Sequence, residues 1–498
     1  MSGNLFERLV GTAGQDEAGP FLETADGETL SLRDLLDEAG RIAALLRAEG
    51  VKPGERVTVQ VEKSVRGVAL YLAVLQIGAI HVPLNTAYTA VELDYFIGDA
   101  GPAAVVCDPA SEAAVAPLAE RAGAKLFTLD AEGKGSLEAA SGLAPDLAIT
   151  ERDGGDVAAI LYTSGTTGRS KGAMLTHDNL WSNVAVLYAA WGFRSGDVLI
   201  HALPLYHTHG LFVALNLMLL NRGKVMFLPR FDAGEVLDLM PRATVMMGVP
   251  TYYTRLLASE RLNRETAAGM RLFVSGSAPL LAQTHIDFAE RTGHRILERY
   301  GMTETGMNTS NPLDGERRAG TVGLALPGVE LRICDTEGAK VDAGGVGVLE
   351  VRGPNVFKGY WKMPEKTAEE FRPDGFFITG DIATIGEDGY VTIVGRAKDL
   401  IISGGLNIYP KEIESVIDDL PGVVESAVVG VPHPDFGEAV VAVLTGQCDP
   451  GEVLPALRGQ LAGYKLPKHV AMIDSLPRNT MGKVQKNVLR EQFQDLFT

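Results

Sequence analysis

The chain has 498 residues, too many for one ordinary hydrophobic core, so at least two domains are expected. Hydrophobic residues make up 46% and charged residues 22%, the balance of a folded globular protein and not of a disordered one. Lysine and arginine number 45 against 63 acidic residues. The resulting net charge of −18 argues against non-specific binding to nucleic acid or to an anionic membrane, so an anionic substrate needs locally placed cations.

The start, MSGNLFERLVG, has no apolar core of signal-peptide length, and no run of about 18 apolar residues follows anywhere. Cys107, Cys334 and Cys448 are too far apart for a disulfide framework or a metal cluster. A reducing cytoplasm is the expected location. In chain order, Ser31 is placed to cap a helix with an apolar face of Leu35, Ala39, Ile42 and Leu46, and Gly50 is its stop signal. Val57-Thr58-Val59-Gln60-Val61 alternates like a strand, Ala69 to Ile77 reads as a helix, and Ile80-His81-Val82 as another strand. Such alternation predicts a doubly wound α/β architecture. Residues 109 to 150 carry no recognisable chemistry.

Val157-Ala158-Ala159-Ile160-Leu161 is an apolar run of the kind that forms a buried strand, and YTSGTTGRSKG follows at residues 162 to 172. Tyr162, Thr163, Ser164, Thr166 and Thr167 supply hydroxyls, Gly165, Gly168 and Gly172 let backbone N–H groups approach closely, and Arg169 and Lys171 supply charge. That combination suits a phosphate chain; the bland reading is a surface loop. It is not a Walker A loop, because Lys171 is preceded by Ser170 and followed by Gly172.

Further along, His207 and His209 are spaced to share a metal, but no third His or Cys lies at a ligand spacing, and structural roles are the alternative. After the strand Leu272-Phe273-Val274, the small residues of VSGSAP at 274 to 279 would let a planar ligand approach the backbone. In Glu298-Arg299-Tyr300-Gly301-Met302-Thr303-Glu304, Tyr300 can stack on a purine, Thr303 can donate to a phosphate and Glu304 can hold Mg²⁺. Read alone, this is equally a charged surface turn. From Gly353 to Gly395 the pattern becomes short strands and turns, among them Thr379-Gly380-Asp381, where Asp381 suits either ribose hydroxyls or an Asx turn. Gly395-Arg396-Ala397-Lys398-Asp399 marks a boundary. Beyond it, Pro410 opens a helix through Ile413, Val416 and Ile417, and Ser426 to Val431 reads as a strand.

YTSGTTGRSKG and ERYGMTET, in that order, resemble the phosphate loop and the adenine, α-phosphate and magnesium segment of the AMP-forming acyl-CoA synthetase (adenylate-forming) family. The resemblance runs from about residue 25 to 490. The family usually has proline where this chain has Ser170, a change confined to the stiffness of the turn. The resemblance implies a large domain of doubly wound sheets with a β-barrel-like subdomain over residues 1–395, a hinge at 396–398 and a small mobile α+β domain over 399–498. It implies ATP contacts from Thr163, Ser164, Gly165, Thr166, Thr167, Gly168 and Lys171, and from Ser277, Ala278 and Pro279. Glu298, Tyr300, Gly301, Met302, Thr303, Asp381, Arg396 and Lys483 complete that set.

By the same resemblance Glu304 holds Mg²⁺, and His207 stands between acyl pocket and CoA tunnel. Lys398 is the hinge, Ser403, Gly404 and Gly405 meet the pantetheine of CoA, and Lys483 bridges the reacting carboxylate and the α-phosphate. The catalytic group is Lys483, Glu304, Lys171, Thr303 and His207. The segment Pro477 to Lys483 is also similar to an acetylated lysine site of related synthetases, which implies a lysine acetyltransferase and deacetylase as partners.

Arg299 departs from a plain fatty-acyl or aryl pocket. A buried guanidinium there would be a serious penalty unless a second substrate carboxylate offset it. The alternative is that Arg299 points away and pairs with Glu298 or Glu304. PLYHTHGLF at 204 to 212 and LERYGMTETGMNTSNP at 297 to 312 resemble the malonate-activating members of the family. That implies malonate, with methylmalonate tolerated, and an acyl pocket of Arg299, His207, Thr208, Ser277 and Met307. Activation of another short or aryl acid, loading of a carrier-protein thiol, and a non-catalytic nucleotide-binding homologue are the competing readings.

Overall fold

A computed structural model describes residues 3–11, 19–163, 170–335, 337–403, 406–458, 460–479 and 482–497. Helix Leu32–Ala48 begins as the sequence predicts. Ser31 accepts from the Asp34 N–H while the Asp34 carboxylate reaches back to Ser31, and Leu35, Ala39, Ile42 and Leu46 are fully buried. Gly50 then turns the chain at φ +90°, a conformation that a side chain would strain.

Two large sheets follow from the strand–helix alternation. One has the order Lys125–Thr128, Ala104–Cys107, Arg56–Gln60, Ile80–Pro83, Val157–Thr163, Lys171–Thr176, Gly359–Tyr360. It is parallel up to Val157–Thr163 and antiparallel beyond. The other is parallel from Pro20–Thr24 through Lys224–Phe227, Val198–His201, Val245–Gly248 and Leu272–Ser275 to Leu297–Met302, with antiparallel strands at both ends. One core joins the facing sides of the two sheets, with Val57, Leu199, Val225 and Leu272 packed around helix Val65–Gln76, which is buried from Val68 onward. Separate cores cover the outer faces, built on helices Ala90–Ala100 and Glu112–Ala122 for the first sheet and on Pro250–Leu257 and Ala282–Thr292 for the second. This is the layered, doubly wound arrangement expected.

Strand Arg56–Gln60 differs from its alternating pattern, since Thr58 and Gln60 are buried along with Val57 and Val59. A parallel strand covered on both faces buries its polar positions too. Gln60 meets that condition by donating to the carbonyls of Asn85 and Tyr88, each at 3.0 Å.

The β-barrel-like part is an antiparallel sheet of Glu330–Cys334, Gly347–Arg352, Phe377–Ile385 and Val391–Arg396. Arg396 ends its last strand, Ala397–Asp399 forms a single tight turn, and Ile401–Ser403 begins the C-terminal sheet. That sheet also holds Leu406–Ile408, Val423–His433, Gly437–Gly446 and His469–Met472, with helices Pro410–Asp418 and Lys486–Phe493 packed on it.

Candidate active site

A cavity of about 1520 Å³ opens where the first sheet, the edge of the second, the antiparallel sheet and the C-terminal segment meet. The sequence-predicted phosphate loop joins two antiparallel strands, Val157–Thr163 and Lys171–Thr176, and their register sets Thr163 opposite Lys171. A P-loop would instead lead into a helix. Thr163, Ser170 and Lys171 line the cavity. The expected contacts Ser164, Gly165, Thr166, Thr167 and Gly168 lie outside the described residues, as do Gly404 and Gly405.

Strand Leu297–Met302 and the turn after it carry Tyr300, Gly301, Met302, Thr303 and Glu304, and the last four line the cavity. The Tyr300 hydroxyl donates to Asp381 Oδ2 at 2.5 Å, and Arg396 Nε meets Asp381 Oδ1 at 2.8 Å. Asp381 and Arg396 are direct partners across two strands of the antiparallel sheet, so this clamp is fixed by register. Burial and the Asp381 carboxylate together push the Tyr300 hydroxyl well above its ordinary range, and it stays a donor.

Glu304 is 6% exposed, and burial raises its carboxyl above the usual carboxylate range. Its Oε1 accepts from the Thr163 hydroxyl at 3.4 Å and lies 3.2 Å from the Tyr360 hydroxyl. Tyr360 also donates to Glu370 Oε2 at 2.7 Å, and Lys171 Nζ sits 2.8 Å from Glu370 Oε1 and 4.1 Å from the centre of the Tyr360 ring. Burial would raise the Glu370 carboxyl, but the hydrogen bonds from Lys171 and Tyr360 outweigh it and hold it low. Sequence reasoning missed Tyr360 and Glu370. Tyr360 is one aromatic in a turn, and Glu370 closes the short charged helix Pro364–Glu369, a pattern that reads as solvated surface.

Lys483 lines the cavity with His207, Arg396 and Lys398. Its side chain keeps solvent contact because the cleft is open, yet protein surrounds it. Desolvation and the nearby Arg396 charge lower its pKa, while Asp381 and Glu304 oppose them. Burial, helped by Lys483, depresses His207 to about 4, so the imidazole is neutral at pH 7, and its Nε2 is buried without a partner among the described residues. Burial and the neighbouring cations Arg396 and Arg490 lower Lys398 as well. Ser403 is buried at the end of its strand, opposite Leu406 and Gly437.

Arg299 is 3% exposed and does not line the open cavity. Among the described residues its Nε and Nη2 are buried without hydrogen-bond partners, and it forms no ion pair with Glu298 or Glu304. Burial depresses it only to about 10, so it is charged at neutral pH. Glu298 offers no counter-charge, since burial pushes its carboxyl up to about 8 despite the Leu280 N–H at 3.3 Å, and its Oε2 is also unpartnered. Around Arg299 stand Tyr253 and His209, whose imidazole burial holds neutral, next to Gly276.

Ser277 adopts φ +72°, a costly conformation for a residue with a side chain, and its hydroxyl lies 3.3 Å from His209 Nδ1. Strain of this kind concentrates at functional sites. It is therefore His209, not His207, whose ring meets Ser277, a role that spacing alone did not reveal. Met307 is buried, with its backbone N–H and C=O both bonded to the Asn183 amide at 3.1 and 2.9 Å. Thr208 lines a separate space of about 10 Å³ with Thr303 and Asn355. Ala278 and Pro279 lie on the loop after Ser277, outside the lining of the large cavity.

Among the described residues no group of three His, Cys, Asp or Glu is placed to hold a metal ion by itself. An ion held by one carboxylate together with phosphate oxygens and water suits this donor set, and that is the usual habit of Mg²⁺. No described helix is long and apolar enough to cross a membrane.

Two family models match the chain: "AMP-binding enzyme" over residues 10–361 and "AMP-binding enzyme C-terminal domain" over residues 412–483. The malonate–CoA ligase of Arabidopsis thaliana is 36% identical over 524 residues, covering 95% of this chain and 86% of that protein. The feruloyl-CoA synthase of an Amycolatopsis species is 38% identical over 475 residues, covering 94% of each. The crystal structure of ATP-bound MatB from Rhodopseudomonas palustris is 58% identical over 100% of both chains, with a TM-score of 0.98. The apo form of MatB gives a TM-score of 0.86 over the same coverage.

Proposed function

The chain belongs to the AMP-binding enzyme family, and from that premise we propose that it ligates malonate to CoA through an acyl-adenylate, releasing AMP and pyrophosphate, with methylmalonate as a second acid. The observation that carries the choice of acid is Arg299, a buried cation that has, among the described residues, unpartnered N–H groups and no carboxylate of its own. A dicarboxylic acid supplies the missing partner in bidentate geometry, whereas a feruloyl or fatty chain would leave the charge uncompensated. Overall identity to the malonate and feruloyl relatives is nearly equal, so identity to these two does not choose between the acids, and Arg299 supports malonate. The 58% identity to MatB is much higher than either.

In the first step an oxygen of malonate's near carboxylate bonds to the α-phosphorus of ATP as the bond to the pyrophosphate oxygen breaks. Both reactants are anions, so catalysis is positioning and charge stabilisation, and no general base is needed. Thr163, Lys171, Thr303 and the loop Ser164 to Gly168 are assigned to the phosphates, Tyr300, Gly301, Met302 and the Ser277–Pro279 loop to adenine, and Asp381 with Arg396 to the ribose. Mg²⁺, when bound, would supply positive charge against that of the phosphates, and Glu304 is the carboxylate suited to hold it. Lys483 bridges the near carboxylate and the α-phosphate. Its position among Arg396, Asp381 and Glu304 supports that role, as does the better match to ATP-bound than to apo MatB.

In the second step the CoA thiol attacks the acyl carbon and AMP leaves. Residues 399–498 rotate about Lys398, withdrawing Lys483 and bringing Ser403, Gly404 and Gly405 to the pantetheine. The tight turn Ala397–Asp399 between two sheets supports a hinge there. Three free thiols support a reducing compartment, and the cytoplasm is the proposed location. AMP formation with ATP, Mg²⁺ and CoA across malonate, methylmalonate, succinate, acetate and benzoate tests the reading. Turnover with malonate and little with acetate supports it; preference for acetate or benzoate refutes the choice of acid.

A further inference from the structure

Lys171 is not a free cation waiting for phosphate. Its Nζ is held by Glu370 Oε1 at 2.8 Å over the face of Tyr360, and both side chains are largely buried at the cavity wall. The Glu370 main chain is fixed, because its carbonyl accepts from the Ile378 N–H at 2.8 Å. Its carboxylate has two other partners, the Tyr360 hydroxyl at 2.7 Å and Lys366 Nζ at 3.3 Å. Lys171 can therefore leave without stranding a bare buried charge, and the exchange of one anion for another on Lys171 is inexpensive.

We propose that Glu370 is a resident anion that neutralises Lys171 in the empty site, yields it to the phosphates of ATP, and by its own charge limits how tightly ATP and pyrophosphate are held. The inference rests on the nucleotide reading of the cavity. A triphosphate entering beside Lys171 meets the carboxylates of Glu370 and Glu304, joined through the Tyr360 hydroxyl. Glu370 coordinates nothing in this scheme; it is a positioning residue that favours release. Reclaiming Lys171 after bond cleavage would loosen the pyrophosphate.

The test is calorimetric titration of Mg·ATP and of Mg·pyrophosphate into the full-length protein and its Glu370→Gln variant, with Glu370→Ala as a second. Glutamine keeps the shape and the Tyr360 hydrogen bond and removes the charge. The expected result is roughly tenfold tighter binding of both ligands, the size of one like-charge repulsion in a partly screened site, with stronger pyrophosphate inhibition and an unchanged KM for malonate. A gain in affinity is a result that mere structural damage does not produce. Weaker or unchanged ATP binding in the variants overturns the inference. Malonate-dependent exchange of pyrophosphate into ATP by the wild type separates the two levels: its absence refutes the functional reading itself, while its presence with unaltered affinity in Glu370→Gln refutes only the role of Glu370.

Discussion

The guanidinium of Arg299 lies against the backbone of Gly276, so closely that a methyl group built there would overlap Cζ. Gly276 sits at the start of the loop that carries the strained Ser277, and its φ is not in the left-handed region. Alanine there is therefore a steric probe of Arg299 and not a backbone lesion. Gly276→Ala should displace the guanidinium and cost about 2 kcal/mol, some thirtyfold in kcat/KM, with malonate. Propionate, which has no second carboxylate, should lose much less. Steady-state kinetics with both acids provide the check, and equal losses would detach the glycine from the recognition of the second carboxylate.

Glu298 gives a stability signature. Its carboxyl ionises near 4.5 in an unfolded chain and is raised to about 8 by burial in the fold. Between those values the native state holds a proton that the unfolded state has lost, so the group's contribution falls as pH rises from about 4.5 to about 8 and is level above. Glu298→Gln removes that slope. Relative to wild type, the variant should gain steadily between pH 5 and pH 8, by a few kcal/mol in all at most. Urea unfolding at pH 5, 6.5 and 8 measures it, and parallel curves would mean that Glu298 is ionised in the fold.

The role proposed for Lys483 separates the two half-reactions. Lys483→Ala should abolish adenylate formation, read as malonate-dependent exchange of pyrophosphate into ATP. It should leave thioester formation from supplied malonyl-AMP and CoA largely intact. Loss of both together would contradict rotation of the C-terminal domain between steps.

What the sequence made legible was local or repeated. The Ser31 cap and the apolar face behind it, and the apolar run ahead of the phosphate loop, are patterns within a few residues, and both stand in the structure. Tyr300, Asp381 and Arg396 were legible only singly, through motifs; that they form a clamp depends on the register of two neighbouring strands and on Tyr300 reaching them from another sheet. Glu370 was illegible. Its neighbours Lys366 and Glu369 form an ordinary surface ion pair, and nothing in the spacing says that the carboxylate just past that helix turns inward to Lys171. His209 was hidden for a different reason: it stands two residues from His207, and its contact is with the hydroxyl of Ser277, whose left-handed backbone no spacing reveals.

In the proposed reading Arg299, a buried cation without an ion-pair partner among the described residues, is kept for a second carboxylate. The most direct test of that role is kcat/KM for malonate and for propionate with wild type and Arg299→Leu, alongside the unfolding free energy of both proteins without ligand. The expected result is a loss of about 3–5 kcal/mol with malonate, as for breaking a buried pair, and a small change with propionate. The unliganded variant should be the more stable by about 1–3 kcal/mol, since unsatisfied buried N–H groups are removed. Equal losses with both acids, or a variant that is destabilised without ligand, would contradict that role.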